Sequence, residues 1–427
     1  MPKKKVPLTF EKALAELHVD DMERRENALR RIEELAEGQL SSAQVATLIR
    51  AAATTFPPSD NEWRPYDEAL LETSWDQLRA EHIAVIVEQY PKFSQKGRPA
   101  ALTALSRLQT REAVLAFVQL LREHGWPADS SPAMTLPFTE ECPFADELLP
   151  PLVDGSIQGV PPEERDQLLV NYAEKRKLVE SVAAAAKPEA LQRARETVKT
   201  LAPLQQSSGI GWRWHEDYHE QRIHAGLLLE LLGYLGRDKD LITVLQKAAA
   251  LADPHLRLYA TLSLLRLGEK ADPKALLAVA QDAETRGTLF KQLSELQKRD
   301  LFPQSELTQE KLAESDMVSW LAFPTELSRA PDRIELMDTV EVDAGNRGGG
   351  VFVYYLFRFM TEPPHWAADD GWMAGVSGPF RKAEFPTLEG WGDTFSTFSP
   401  WDDFTPEEHL SSIRDLMERW HNRHSAP

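Results

Sequence analysis

Between residues 8 and 320 the chain is a near-continuous succession of segments with apolar residues three and four apart, closed by Pro, Gly or Asp. That period places apolar side chains on one face of a helix, so each segment needs a neighbour to bury its stripe. The clearest segments cover approximately 20–37, 82–91, 98–108, 110–124, 163–186, 189–206, 216–235, 238–251, 254–267, 273–282 and 284–298. Strand-like alternation is nearly absent there. Short helices joined by short turns form hairpins, and many hairpins in a row form a solenoid.

The spacing repeats. Asp253, Arg257, Ala260 and Leu267 stand at offsets of 0, 4, 7 and 14, and the same offsets recur at Asp21, Arg25, Ala28 and Leu35. Ser94, Arg98, Ala101 and Leu108 form a third set. An Asp or Ser at the start can accept from free N–H groups of the first turn. The alanine permits close helix approach, and the leucine returns near the same face. A second echo aligns Leu231–Gly236 with Leu264–Gly268, and Gly236 and Gly268 are 32 residues apart. Each glycine suits a left-handed helix cap.

Asp253-Pro254-His255-Leu256-Arg257, leading into Ala260 and Leu267-Gly268, resembles the short bacterial units of the HEAT-repeat family. The resemblance covers about two-thirds of the chain and implies a mainly α HEAT-like solenoid. It also implies an Asp–Arg ladder between neighbouring repeats, carried here by Asp21/Arg25 and Asp253/Arg257. Ser94/Arg98 departs from that pattern. A solenoid does not define an activity.

Four regions are expected. Residues 1–125 and 163–320 are helical repeats. Residues 126–162 carry Pro127, Pro132, Pro137, Pro143, Pro150, Pro151, Pro161 and Pro162 and read as a loop or linker dividing the array. Phe138, Phe144, Leu148 and Leu149 argue that this segment packs in part. Residues 321–427 change character and form a small α+β domain, an antiparallel sheet with a C-terminal helix. Ile334, Leu336, Val340 and Val342 alternate with polar residues, as in a half-buried strand. Val351–Met360 is apolar on both faces, as in a central strand. A third strand is expected over Gly371–Val376. Thr405-Pro406-Glu407-Glu408 has the spacing of a capping box opening a last helix.

Charge and chemistry narrow the function. The formal net charge is -19, which disfavours broad nucleic-acid binding and suits a basic protein partner. Cys142 is the single cysteine, consistent with a reducing cytoplasm and no intrachain disulfide. No apolar run reaches membrane-spanning length. No phosphate loop, Ser/His/Asp arrangement or other cofactor motif stands out.

His215-Glu216-Asp217-Tyr218-His219 is a literal H-E-x-x-H, which on a helix could place His215 and His219 on zinc with Glu216 as base. Zinc proteases resembling it usually have uncharged residues before the second histidine and a placed third ligand. Here Asp217 intervenes, and His224 does not fit. His219 also shares the stripe of Ile223, Leu227 and Leu231, which points to a helix-packing position. Deoxyhypusine hydroxylase is a HEAT-like enzyme that holds two irons through His-Glu pairs on different repeats. His215-Glu216 and His219-Glu220 share one helix. HEAT-like alkylpurine glycosylases use aromatic and acidic residues on a basic face; Trp212, Arg213 and Trp214 resemble that, and the charge opposes it. No motif singles out the HEAT-like bilin lyases.

Six of the 11 tryptophans lie from Trp320 onward. Trp366, Trp391 and Trp401 sit in Pro-, Gly- and Asp-rich stretches and, with Asp402 and Asp403, are expected to form a recognition patch. The leading reading is a protein-interaction scaffold or inhibitor that binds its partner on the concave face of the acidic solenoid, with the C-terminal domain as a second contact. One version is a bacterial immunity-type protein. The alternative is a metal-dependent enzyme using His215, Glu216 and His219.

Overall fold

The computed structural model describes residues 8–57, 65–130, 134–205, 209–323, 325–343, 350–362, 371–382, 395–411, 413 and 415. The chain forms two compact units, residues 1–188 and 189–427.

The first unit is a two-row stack of helices. One row comprises α2 (Met22–Glu37), α4 (Tyr66–Ser74), α6 (Gly97–Leu108), α8 (Leu136–Glu141) and α10 (Pro162–Glu174), each packed on the next. The other comprises α3 (Ser42–Ala52), α5 (Ile83–Gln89), α7 (Arg111–His124) and α9 (Ala145–Val153), again in succession. A first helix, α1 (Phe10–Glu16), packs on α2. The apolar stripes meet between the rows, where Ala28, Ile32, Leu48, Leu70, Ile86, Leu105 and Phe117 are buried.

The Pro-rich segment corrects the sequence expectation, because it continues the stack and does not divide it. Pro137 sits in the first turn of α8, where no intrahelical N–H bond is lost. Met134, Phe138, Leu148 and Leu149 are fully buried, and such apolar burial outweighs the cost of Pro150 and Pro151 inside α9. The unit boundary falls at Pro188 instead, within α11 (Glu180–Leu201).

The second unit stacks α12 (Glu216–Leu232), α14 (Pro254–Arg266) and α16 (Ala283–Glu295), with α13 (Lys239–Ala249) packed on α14 and α15 (Pro273–Gln281) packed on α14 and α16. Gly226 on α12 and Gly233 at its C-terminal cap, one heptad apart, let α14 come close. A Cβ on Gly233 would lie 2.7 Å from Ser263 Oγ. The 32-residue echo is visible as stacking, since Arg237, just after Gly236, bonds Glu269, just after Gly268, at 2.6 Å. Both glycines have φ near +80°, the left-handed cap conformation.

After α17 (Gln309–Leu321) comes a four-stranded antiparallel sheet, β1 (Arg333–Asp343), β2 (Val351–Met360), β3 (Met373–Arg381) and β4 (Phe395–Pro400), in sequential order. Val353, Tyr355, Phe357 and Phe359 pack on Ala313, Met317 and Leu321 of α17. Tyr354 and Leu356 pack on Leu410 and Ile413. Burial on both faces explains why β2 reads as continuous apolar sequence. Residues 406–411 open the final helix, where Thr405 and Glu408 form the reciprocal cap. The architecture is therefore mainly α-helical repeats followed by a small α+β module.

Candidate functional site

The repeated Asp and Arg build a turn before they build anything else. Asp21 and Asp253 cap α2 and α14, accepting from the backbone N–H of Arg24 and His255. The arginine four residues on folds back over the turn. Arg25 Nη1 donates to the Val19 carbonyl at 2.8 Å, and Arg257 donates to the Leu251 carbonyl. Asp282 and Arg286 form another copy of the spacing, with Arg286 Nε bonding the Ala280 carbonyl at 2.7 Å. In the third sequence set Ser94 Oγ accepts from Gly97 N–H, and Arg98 Nη2 approaches the Pro91 carbonyl at 3.4 Å. These arginines thus neutralise the carbonyl end of the preceding helix.

The contact between repeats comes from a residue the spacing did not mark. Arg222 of α12 is fully buried, with Nε 2.8 Å from Asp253 Oδ2 and Nη2 2.5 Å from Glu284 Oε1. It links α12 to the starts of α14 and α16. Tyr218 donates its hydroxyl to the same Asp253 oxygen at 2.9 Å. Arg213, in the turn before α12, reaches Asp282 at 2.9 Å and Glu284 at 3.5 Å. Rings surround the ions. Arg222 lies 5.3 Å from the Trp214 ring centre, and Trp214 lies 4.8 Å from His219. Trp212 meets Tyr218 edge-on at 5.0 Å.

Burial raises Glu284 above the usual carboxylate range, against the pull of Arg222. Asp253 is held below its ordinary value despite burial, because Arg222, His255 and Tyr218 favour its charged form. His219 is lowered by burial and by Arg222. His255, packed against Gly226, is pushed down to about 3 by burial and Arg222. Its imidazole is neutral at physiological pH.

The H-E-x-x-H stretch opens this helix. His215 occupies the exposed cap position and Glu216 is exposed, whereas His219 turns inward against Trp214. Ile223 is 43% exposed and Leu227 half-buried, so only the end of the apolar stripe through His219, at Leu231, is buried. Tyr218, Arg222, Ala225 and Leu229 are buried as well. Among the described residues no group of three His, Cys, Asp or Glu side chains is placed to hold a metal.

Trp366 and Trp391 lie outside the described residues. Trp401 is half-buried and stacks on His409 at 5.2 Å, so its ring helps seat the final helix on the sheet. Asp402 and Asp403 are exposed beside it. The same module has an open edge. β1 pairs only with β2 among the described residues, and most of its length is exposed. Leu336 is 44% exposed and Met337 36%, at a register shift.

Fold and site together define an α-helical repeat protein carrying a sheet module whose β1 is paired on one side alone among the described residues. No family model matches the chain, and no curated protein does. Among solved structures, the chain is similar to the complex of CpcE and CpcF of phycocyanin lyase from Nostoc sp. PCC7120, at 16% identity and a TM-score of 0.27. That alignment covers 68% of this chain and 98% of the other. Among the described residues no helix is long and apolar enough to cross a membrane.

Proposed function

We propose that this chain is a protein-interaction scaffold of HEAT-like type, and that the outer edge of β1 receives an extended segment of its partner. The observation that carries this reading is the 11-residue edge strand itself. Exposed edges offer rows of backbone donors and acceptors, and natural proteins usually shorten, cover or charge them. Here two apolar side chains, Leu336 and Met337, remain exposed on the strand. An added strand gains main-chain hydrogen bonds from the edge and specificity from alternate side chains.

Glu335, Asp338, Glu341 and Asp343 outnumber Arg333 on β1. Glu335 and Glu341 also bind Arg358 and Lys382 within the sheet. Together with the net charge of -19, this favours a partner segment rich in Lys and Arg. An immunity-type inhibitor of a basic toxin is one form such a scaffold takes.

The test is comparative capture from host lysate by the native chain and by a Leu336→Lys/Met337→Lys variant, followed by hydrogen exchange of the complex. A protein held by the native chain and lost by the variant, with β1 amides slowed in the complex, supports the reading. Identical retention by both chains, or no slowing along β1, refutes it.

A further inference from the structure

The cluster around Arg222 contains more donors than its own acids accept. Among the described residues, Arg222 Nη1, Arg213 Nε and Trp214 Nε1 are buried donors with no hydrogen-bond partner. Buried polar groups are paired in the great majority of native structures, and a missing partner costs more when the donor is charged. These three atoms belong to one nest. The Trp214 ring lies 5.3 Å from the Arg222 guanidinium and 4.8 Å from the His219 imidazole, and Arg213 shares Glu284 with Arg222.

We infer that this nest is a binding site for a carboxylate, which would accept from Arg222 Nη1 and the Trp214 indole N–H. Arg222 is fully buried, whereas Trp214 and His219 are partly exposed, so the ligand enters past the two rings. A planar oxyanion with two acceptor atoms suits neighbouring guanidinium and indole donors. The surrounding charges favour a monoanion. Arg213, Arg222 and Arg257 face Asp253, Asp282 and Glu284, and the last of these is pushed toward its neutral form. A phosphate dianion would add a second negative charge beside three acids, at a cost that grows in low dielectric. The inference is independent of the β1 edge.

Acetate is the probe, compared with inorganic phosphate and chloride at matched ionic strength. The indole N–H resonance of Trp214, assigned by its loss in Trp214→Phe, is followed during titration. Saturable movement with acetate, at least tenfold weaker with phosphate, is the expected result. Calorimetry on Trp214→Phe, which keeps a ring over Arg222 and removes the donor, should show about a tenfold loss of acetate affinity, equivalent to about 1.4 kcal/mol. No movement of the resonance, or equal movement with all three anions (an adventitious ion only), overturns the inference. Calorimetric titration of the native chain with the three anions stands even where the variant folds poorly.

Discussion

Asp21 in the first unit and Asp253 in the second occupy the same place in the same motif, yet they live in different surroundings. Both cap a helix, and both precede an arginine that clasps the end of the helix before it. Asp21 is exposed and its carboxylate serves the first turn of α2. Asp253 is fully buried, and its second oxygen receives Arg222 and Tyr218. The motif therefore specifies a turn, and the neighbouring helix decides whether the cap also becomes the centre of an ion network. The implied Asp–Arg ladder is drawn differently in the second unit: Asp253 receives Arg222 of α12, while Arg257 remains with its own turn.

The sharpest way to break this comparison is to remove both aspartates in turn. Asp253→Ala strips the buried Arg222 of one counter-ion and Tyr218 of its acceptor. Losing one partner of a buried pair costs about 3–5 kcal/mol. Asp21→Ala removes an exposed cap worth about 1 kcal/mol. Denaturant titrations of both variants should differ by that margin, and equal losses would mean that Arg222 adds nothing to Asp253.

Acid titration tests the same asymmetry at His255, two residues beyond Asp253; the matching position beyond Asp21 is Glu23. The folded pKa of His255 is pushed down to about 3 from 6.5. The unfolded chain therefore binds a proton between those values that the folded chain does not. Stability from this group is present above pH 6.5 and falls as pH drops toward 3, by a few kcal/mol on the order of magnitude set by linkage. His255→Gln should flatten that part of the stability profile measured by thermal melting. An unchanged slope would show that His255 does not control it.

The smallest effect belongs to the exposed pair between echoing repeats. Arg237→Ala removes a contact whose arginine is 69% exposed, and such pairs contribute about 0.2–1 kcal/mol. A larger loss on denaturation would mean that repeat stacking depends on this pair more than on the buried surface beneath it.

Much of the fold was legible because its signals are local. The capping aspartates, Gly268 and the alternation from Ile334 to Val342 each act within a few residues. The Arg222–Asp253–Glu284 network was not, because its members stand 31 and 62 residues apart in sequence. Its recognition requires the stacking register. Asp282, Arg286, Leu289 and Leu296 repeat the offsets 0, 4, 7 and 14 with leucine in place of alanine, and offered one available sign. The Pro-rich segment misled because buried Phe138 and Leu148 decide its conformation more strongly than Pro137 in the first turn of α8 and Pro150 and Pro151 inside α9 oppose it. H-E-x-x-H lies at a helix start, where His215 occupies the cap and His219 turns inward against Trp214, so the two side chains do not share one face in the usual way.

The arginine clasp also bears on how such a chain can change length. A hairpin whose junction is latched by its own residues, as Arg25 latches onto Val19, can be duplicated or lost without stranding a charge elsewhere. The stretch from Arg213 to Glu284 lacks that freedom. Excising one hairpin there would leave a guanidinium facing no carboxylate, so this stretch is inherited whole or rebuilt whole.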